Sequence, residues 1–588
     1  MDRKLPPSAW AIVAVVYSFW SSVVQLSWAI GVKLWTRFWA EPRRKVLLRE
    51  LATADTFEQW KHAADQLDEI LGYDNWRRTE VSVIYHHKLI ESRKDRLAEA
   101  FIKDDIGALV SLIQSGLVRN FGNITDPKLF NRAYGGTKRL IVEYIDHVVL
   151  AVQKVAHWPV DSAYGMDRQT RQNVLHNTQQ AYGQTCLLMQ GGSIFGLCHL
   201  GVVKALKKQG LLPRVIAGNA TGALMAALVA VHTDAELLDF LNGDAINLAA
   251  FAASSRRAAD AAHNDAWQQL GLGWLKTMGR RLHRFTNYGF ILNVHVLEQC
   301  VRDNIGDVTF EEAYRRSRRA LNITVASPHG GPPFLLNYLT APNVLIWSAA
   351  MASNASDPQL LPSCLKCKDV RGEISDWIIP VQSIQSARKS QSANREKESP
   401  LNRISHLFNV NHFIISQARP YVAPFLAPTL NHAMEPRTFA SRIAAKIWHV
   451  VSMEWQLRAL QIIMLVGLPP TIRRLVVDES VPGSHWTVVP QIDVADFSRL
   501  LRNPTKEEID HWILRGERSV WPAIPALIIR CAIEIELDRG YRQVRKTKPF
   551  DPRPVDSRVG LEVTPASAND GRRRKEKGRA NSIAGVQS

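Results

Sequence analysis

Arg214-Val-Ile-Ala-Gly218-Asn219-Ala220-Thr221-Gly222-Ala-Leu224 is the stretch on which the fold of this chain turns. An apolar strand runs through a Gly-x-nucleophile-x-Gly turn into a helix of small residues, which is the form of a nucleophile elbow. Such a turn carries its reactive side chain at the apex. Here the apex is Ala220, flanked by Asn219 and Thr221 inside the Gly218 and Gly222 frame.

Working outward, a second turn of the same kind lies upstream. Cys186-Leu-Leu-Met189 reads as a buried strand, stopped by Gly191-Gly192-Ser193-Ile-Phe-Gly196, after which Leu200 to Leu206 takes up helical spacing. Glycine lets backbone N–H groups approach a substrate oxygen closely, so Gly191, Gly192, Ser193 (through its N–H) and Gly196 are the candidate oxyanion donors. Two glycine turns, each following a strand and preceding a helix, point to parallel strands with crossover helices, an α/β layer with a mainly parallel sheet. Ala320 to Val325, Val344 to Trp347 and Phe408 to Ser416 supply further strand candidates.

The remaining regions divide by composition. Residues 49–180 read as a helical domain, since apolar groups recur at three- and four-residue spacing from Phe57 to Leu67 and again from Leu97 to Val118. Residues 181–425 form the α/β domain, and its 381–400 stretch is a polar, exposed loop. Residues 426–545 read as mostly helical. The 546–588 tail has few hydrophobes and carries Arg572-Arg-Arg-Lys-Glu-Lys577, the composition of a disordered basic segment.

Lys and Arg number 73 against 55 Asp and Glu, a net charge of +18 that favours an anionic partner surface. No recognition helix, zinc framework or interleaved basic and aromatic platform accompanies the charge, so a nucleic-acid partner is not expected. Six cysteines in 588 residues give no disulfide framework. Cys364 and Cys367 form a lone CxxC without a second ligand pair, so no metal and no cofactor is expected. Residues 1–48 are the membrane candidate. Leu5 to Val32 holds no charged side chain and several tryptophans, and Lys33, Arg37, Arg43, Arg44 and Lys45 follow it. The run predicts a single-pass or hairpin anchor at the endoplasmic reticulum or a lipid droplet, with the bulk of the chain cytosolic.

Gly-Gly-x-x-x-Gly with Leu200-Gly-Val-Val-Lys-Ala-Leu206, Leu211-Leu-Pro-Arg-Val-Ile-Ala-Gly218, Val344-Leu-Ile-Trp-Ser-Ala-Ala350, Met351-Ala-Ser353 and Leu407-Phe-Asn-Val-Asn-His-Phe-Ile414 resemble the patatin-like lipases. More narrowly, they resemble the fungal and plant triacylglycerol lipases of lipid droplets, which also carry a helical N-terminal domain. The resemblance covers roughly residues 50–545. It implies a patatin-type α/β layer flanked by N- and C-terminal helical regions, and a serine–aspartate dyad that cleaves acyl esters without histidine.

Carried onto this chain, the family's serine falls on Ala220 and its aspartate on Ser392 next to Ala393, with Asp376 and Glu396 as the nearby acids. Neither dyad position is intact. The His-x-x-x-x-Asp acyltransferase motif of related enzymes is absent from the sequence. The reading is a membrane- or lipid-droplet-associated relative that binds acyl lipid or a partner lipase without cleaving esters. The alternative is an active acyl hydrolase with an unconventional nucleophile such as Thr221.

Overall fold

The computed structural model describes residues 43–159, 166–191, 193–242, 294–325, 333–354, 365–377, 399–418, 481–491 and 505–546, with isolated positions between them. The apolar run at 5–32 and the 547–588 part of the basic tail lie outside these residues.

The N-terminal helices follow from amphipathic spacing and caps. In α1 (Phe57–Ile70) the Thr56 side chain accepts the Gln59 N–H, and Trp60, Ala63, Ala64 and Leu67 form the buried stripe. Helix α2 (Arg139–His157) buries Leu140, Ile141, Tyr144, Ile145, Val148, Ala151, Val152 and Val155 along one face. Helix α3 (Arg168–Tyr182) ends at Gly183, whose φ of 79° turns the chain into the first strand.

Six strands form one sheet: β1 (Gln184–Gln190), β2 (Val215–Asn219), β3 (Ala320–Val325), β4 (Phe334–Leu336), β7 (Val410–Gln417) and β8 (Ser484–Val488), in the order β4-β3-β2-β1-β7-β8. A separate hairpin pairs β5 (Lys366–Lys368) with β6 (Ile374–Asp376). Every pair in the large sheet is parallel except β3 with β4. The expected mixed α/β fold with a mainly parallel, helix-flanked sheet is therefore observed. Central strands of a parallel sheet are covered on both faces, which explains why Cys186 to Met189 and Val215 to Ala217 are continuously apolar.

Helices α4 (Cys198–Lys208) and α5 (Thr221–Val231) leave the carboxyl edge of the sheet. All of Gly222 to Val231 is buried, so α5 is a core helix and needs no polar face. Helix α6 (Ile346–Asn354) packs against α5, α7 (Pro400–Phe408) packs on β7, and α8 (Lys506–Val520) crosses α4. A Cβ on Gly201 would collide with the Ile513 carbonyl, and one on Gly516 with the Cys198 carbonyl, so these glycines set the approach of α4 and α8.

Three sequence expectations change. Ser484–Val488, within the region read as mostly helical, is β8, parallel to β7 from His412↔Ser484 to Ser416↔Val488. Its buried Trp486 and Val488 alternate with half-buried or exposed neighbours, the period of a strand. Val344 to Trp347 is no strand: Val344 makes an isolated bridge to Cys367 and the helix begins at Ile346. A short apolar run does not distinguish a strand from a buried helix.

The third correction concerns the membrane anchor. Among the described residues no helix is long and apolar enough to cross a membrane. The longest described helix, α9 (Ile524–Lys546), is interrupted by arginines and acids that a spanning segment excludes. The single-pass or hairpin anchor, and the localisation built on it, is withdrawn; the run that suggested it carries Ser21, Ser22, Gln25 and Ser27 at its centre.

Candidate active site

Parallel pairing brings the two glycine turns to one place. The register sets Gln190 opposite Asn219, so β1 and β2 end side by side and release both turns at the same edge. Ligands of open α/β sheets bind at this edge.

Ala220 has φ 55° and ψ −127°, a conformation that L-residues rarely adopt. Its surroundings enforce it. A Cβ on Gly218 would lie 2.6 Å from the Ala223 Cα, and one on Gly222 would collide with the Met189 carbonyl. The Ala220 carbonyl accepts the Ala223 N–H at 2.9 Å. The Ala220 N–H donates to Ser353 Oγ at 3.0 Å, and the Ser353 hydroxyl donates to the Thr324 carbonyl at 2.7 Å. Ser353, buried near the end of α6, thus ties the elbow to the end of β3. In the sequence the only signal for this role of Ser353 is a polar residue ending an apolar helix.

The glycine loop faces the elbow. Gly191, at φ 58°, donates its N–H to the Asn219 carbonyl at 3.2 Å. A Cβ on Gly196 would lie 2.5 Å from Thr221 Cγ2, so the Thr221 methyl packs on the loop. Ser193 opens the short helical turn Ser193–Leu197, and Phe195 within it meets Trp512 edge-on with ring centroids 5.3 Å apart. Gly192 lies outside the described residues. Behind the loop, His199 of α4 is fully buried, with Nδ1 2.6 Å from Ser416 Oγ and Nε2 3.2 Å from the Gly191 carbonyl. Burial lowers its pKa to about 4.

The structure thus groups Gly191, Gly196, Gly218, Asn219, Ala220, Thr221 and Gly222. It leaves the aspartate half of the family dyad untested, because Ser392, Ala393 and Glu396 lie outside the described residues. Asp376 sits exposed in β6 and is ion-paired with Lys366 across the hairpin. The thiols of Cys186, Cys198 and Cys531 are buried, and burial pushes each well above its ordinary value, which leaves them as thiols and poor nucleophiles. Among the described residues no cluster of His, Cys, Asp and Glu could hold a metal; Cys367 is a free thiol, and Cys364 lies outside the described residues. The expected oxyanion donor Gly191 spends its N–H on the Asn219 carbonyl and Ala220 spends its own on Ser353, because both turns are braced internally, so the grouping presents a helix N-terminus beside a methyl group.

Residues 187–373 match the model of the patatin-like phospholipase family, and residues 37–180 match a domain of unknown function, DUF3336. Triacylglycerol lipase ptl1 of Schizosaccharomyces pombe is 32% identical over 90% of this chain and 89% of its own length. Triacylglycerol lipase SDP1L of Arabidopsis thaliana is 31% identical over 84% of this chain, which spans 58% of the plant protein. Triacylglycerol lipase 4 of Saccharomyces cerevisiae is 31% identical over 88% of this chain and 56% of its own length. By the identity to ptl1 over nearly the whole of both chains, together with the two family models in succession, the chain belongs to the patatin-like triacylglycerol lipase family.

Proposed function

We propose that this chain is a lipase-family protein that binds acyl lipid, or a partner lipase, at the elbow and glycine loop and has lost serine-dependent ester hydrolysis. The observation that carries the reading is the methyl group of Ala220 at the apex of a strained elbow. Removing the serine of a serine hydrolase costs on the order of 10⁶ in turnover, and the backbone donors that remain sustain only weak catalysis. The neighbouring hydroxyls do not replace it. Ser353 gives its proton to the Thr324 carbonyl, and Thr221 turns its methyl to Gly196. What remains is the N-terminus of α5 beside the glycine loop, a setting that favours the oxygen of an acyl ester, without an attacking group. The relatives' names as triacylglycerol lipases support triacylglycerols as the lipid class.

The test is acylglycerol hydrolysis by the native chain beside Ala220→Ser and the combined Ala220→Ser, Ser392→Asp, Ala393→Gly variant. No hydrolysis by the native chain, with activity gained in the combined variant, is the expected outcome. Turnover by the native chain, or its stoichiometric labelling by a fluorophosphonate at an elbow residue, overturns the proposal in favour of an unconventional nucleophile.

A further inference from the structure

We propose that His199 is the positioning residue of the glycine loop: a neutral imidazole, protonated on Nε2, that receives the Ser416 hydroxyl on Nδ1 and holds the Gly191 carbonyl. A carbonyl oxygen only accepts, so the nitrogen 3.2 Å from the Gly191 oxygen must carry the proton. A neutral ring has one N–H, so Nδ1 is then the acceptor and the Ser416 hydroxyl, 2.6 Å away, is the donor. The imidazolium, which would donate from both nitrogens, is opposed by complete burial of the ring.

The consequence is geometric. Gly191 is held on both sides, its N–H by the Asn219 carbonyl next to Ala220 and its carbonyl by His199 on α4. Ser416 lies on β7 opposite Met189, so one ring joins β7, the end of β1 and the first turn of α4. With φ at 58°, the direction in which Gly191 turns the chain depends on these two bonds. The Ser416 and His199 pair has the composition of a nucleophile and its base. Both side chains are enclosed, at 1% and 0% exposure, which excludes attack on a substrate and leaves the positioning role.

The proposal rests on the acyl-lipid reading only for what the loop binds, and its test separates the two. Histidine-selective ¹⁵N NMR of the full chain, with the His199 signals identified by their absence from His199→Gln, is expected to show the Nε2–H tautomer, unchanged between about pH 8 and 5. Hydrogen exchange across the Ser193–Leu197 turn is expected to rise about tenfold in His199→Leu and to stay near native in His199→Gln, whose amide can still donate to the Gly191 carbonyl. Affinity for a non-hydrolysable ether analogue of a triacylglycerol is expected to fall in the leucine variant and persist in the glutamine variant. An Nδ1–H tautomer, a ring that titrates near its ordinary value, or native exchange in His199→Leu overturns the assignment. Should the leucine variant not fold, the tautomer in the native chain decides. Failure of the native chain to bind the analogue sinks the acyl-lipid reading, while tautomer and exchange still judge His199.

Discussion

At the scale of single residues, Ala220 holds a backbone conformation that side chains avoid, at a cost of about 1–3 kcal/mol. The bend places a methyl group at the apex of the elbow, and the frame around it holds the strain. Ala220→Gly relieves that strain and gives back part of the gain through the freer unfolded chain. A net stabilisation of about 1 kcal/mol is expected, read as a higher urea midpoint at unchanged slope. A lower midpoint would mean that the Ala220 methyl makes packing contacts worth more than the strain.

Two buried histidines give a pH dependence of known sign. Burial lowers His199 to about 4, and burial, with Arg119 and Arg530 nearby, lowers His412 well below its ordinary value. Above the ordinary histidine pKa of about 6.5 both states are neutral and neither ring affects stability. As pH falls below that value the unfolded chain takes up protons that the folded chain refuses. Stability therefore declines by about 1.4 kcal/mol per pH unit for each ring. For His199 the decline runs down to about pH 4. Denaturation at a series of pH values should show a steeper acid decline in the native chain than in His199→Gln. Parallel profiles would show that the ring protonates without unfolding.

At the scale of elements, the crossing of α4 and α8 decides where the glycine loop ends, because α4 starts directly after it. Gly201 and Gly516 lie at the point of closest approach, each against a backbone carbonyl of the other helix. Backbone yields less readily than a side-chain tip, so the helices must separate to admit a methyl group. Gly516→Ala is expected to cost about 1–3 kcal/mol in chemical denaturation, the range for overpacked cores. The same substitution at Gly540 meets only the Ala156 and Leu175 side chains, at 3.0 Å and beyond, and should cost less. Equal losses at both positions would remove the crossing as a constraint.

At the scale of the described molecule, buried polar contacts join the N-terminal helical region to the sheet. Arg119, between α1 and α2 in the chain, is buried and donates to Thr185 Oγ1 at 3.2 Å, to the Gly183 carbonyl at 3.3 Å and to Glu534 of α9 at 3.1 Å. Glu534 in turn accepts the Thr185 N–H at 2.7 Å. Arg530 lies over the rings of both Phe130 and Trp486, 5.1 and 4.6 Å from their centroids. A buried ion pair is weak evidence of net stabilisation, but removal of one partner strands the other. Arg119→Met is expected to cost about 3–5 kcal/mol and to unfold the helical region and the sheet together in a single transition. Two separate transitions would show that the region of unknown function folds by itself.

The strand, turn and helix order around Gly191 and Gly218 was legible in the sequence, because glycine placement and apolar runs are local signals. So was the alanine at the apex of the elbow, since a motif position is read from one residue. Ser353, His199, Ser416 and β8 were not legible in these roles. Each acts on a partner far along the chain: Ser353 on Ala220, His199 on Ser416, and β8 on β7. Spacing arguments carry no information at such separations. Local chemistry by itself thus determined the α/β class, the elbow and its missing hydroxyl. Only the tertiary structure decided that a parallel register brings two glycine turns face to face and that a buried histidine holds one of them. The reason is physical: a strained turn persists only when atoms from several elements converge on it, and that convergence exists only in the folded chain.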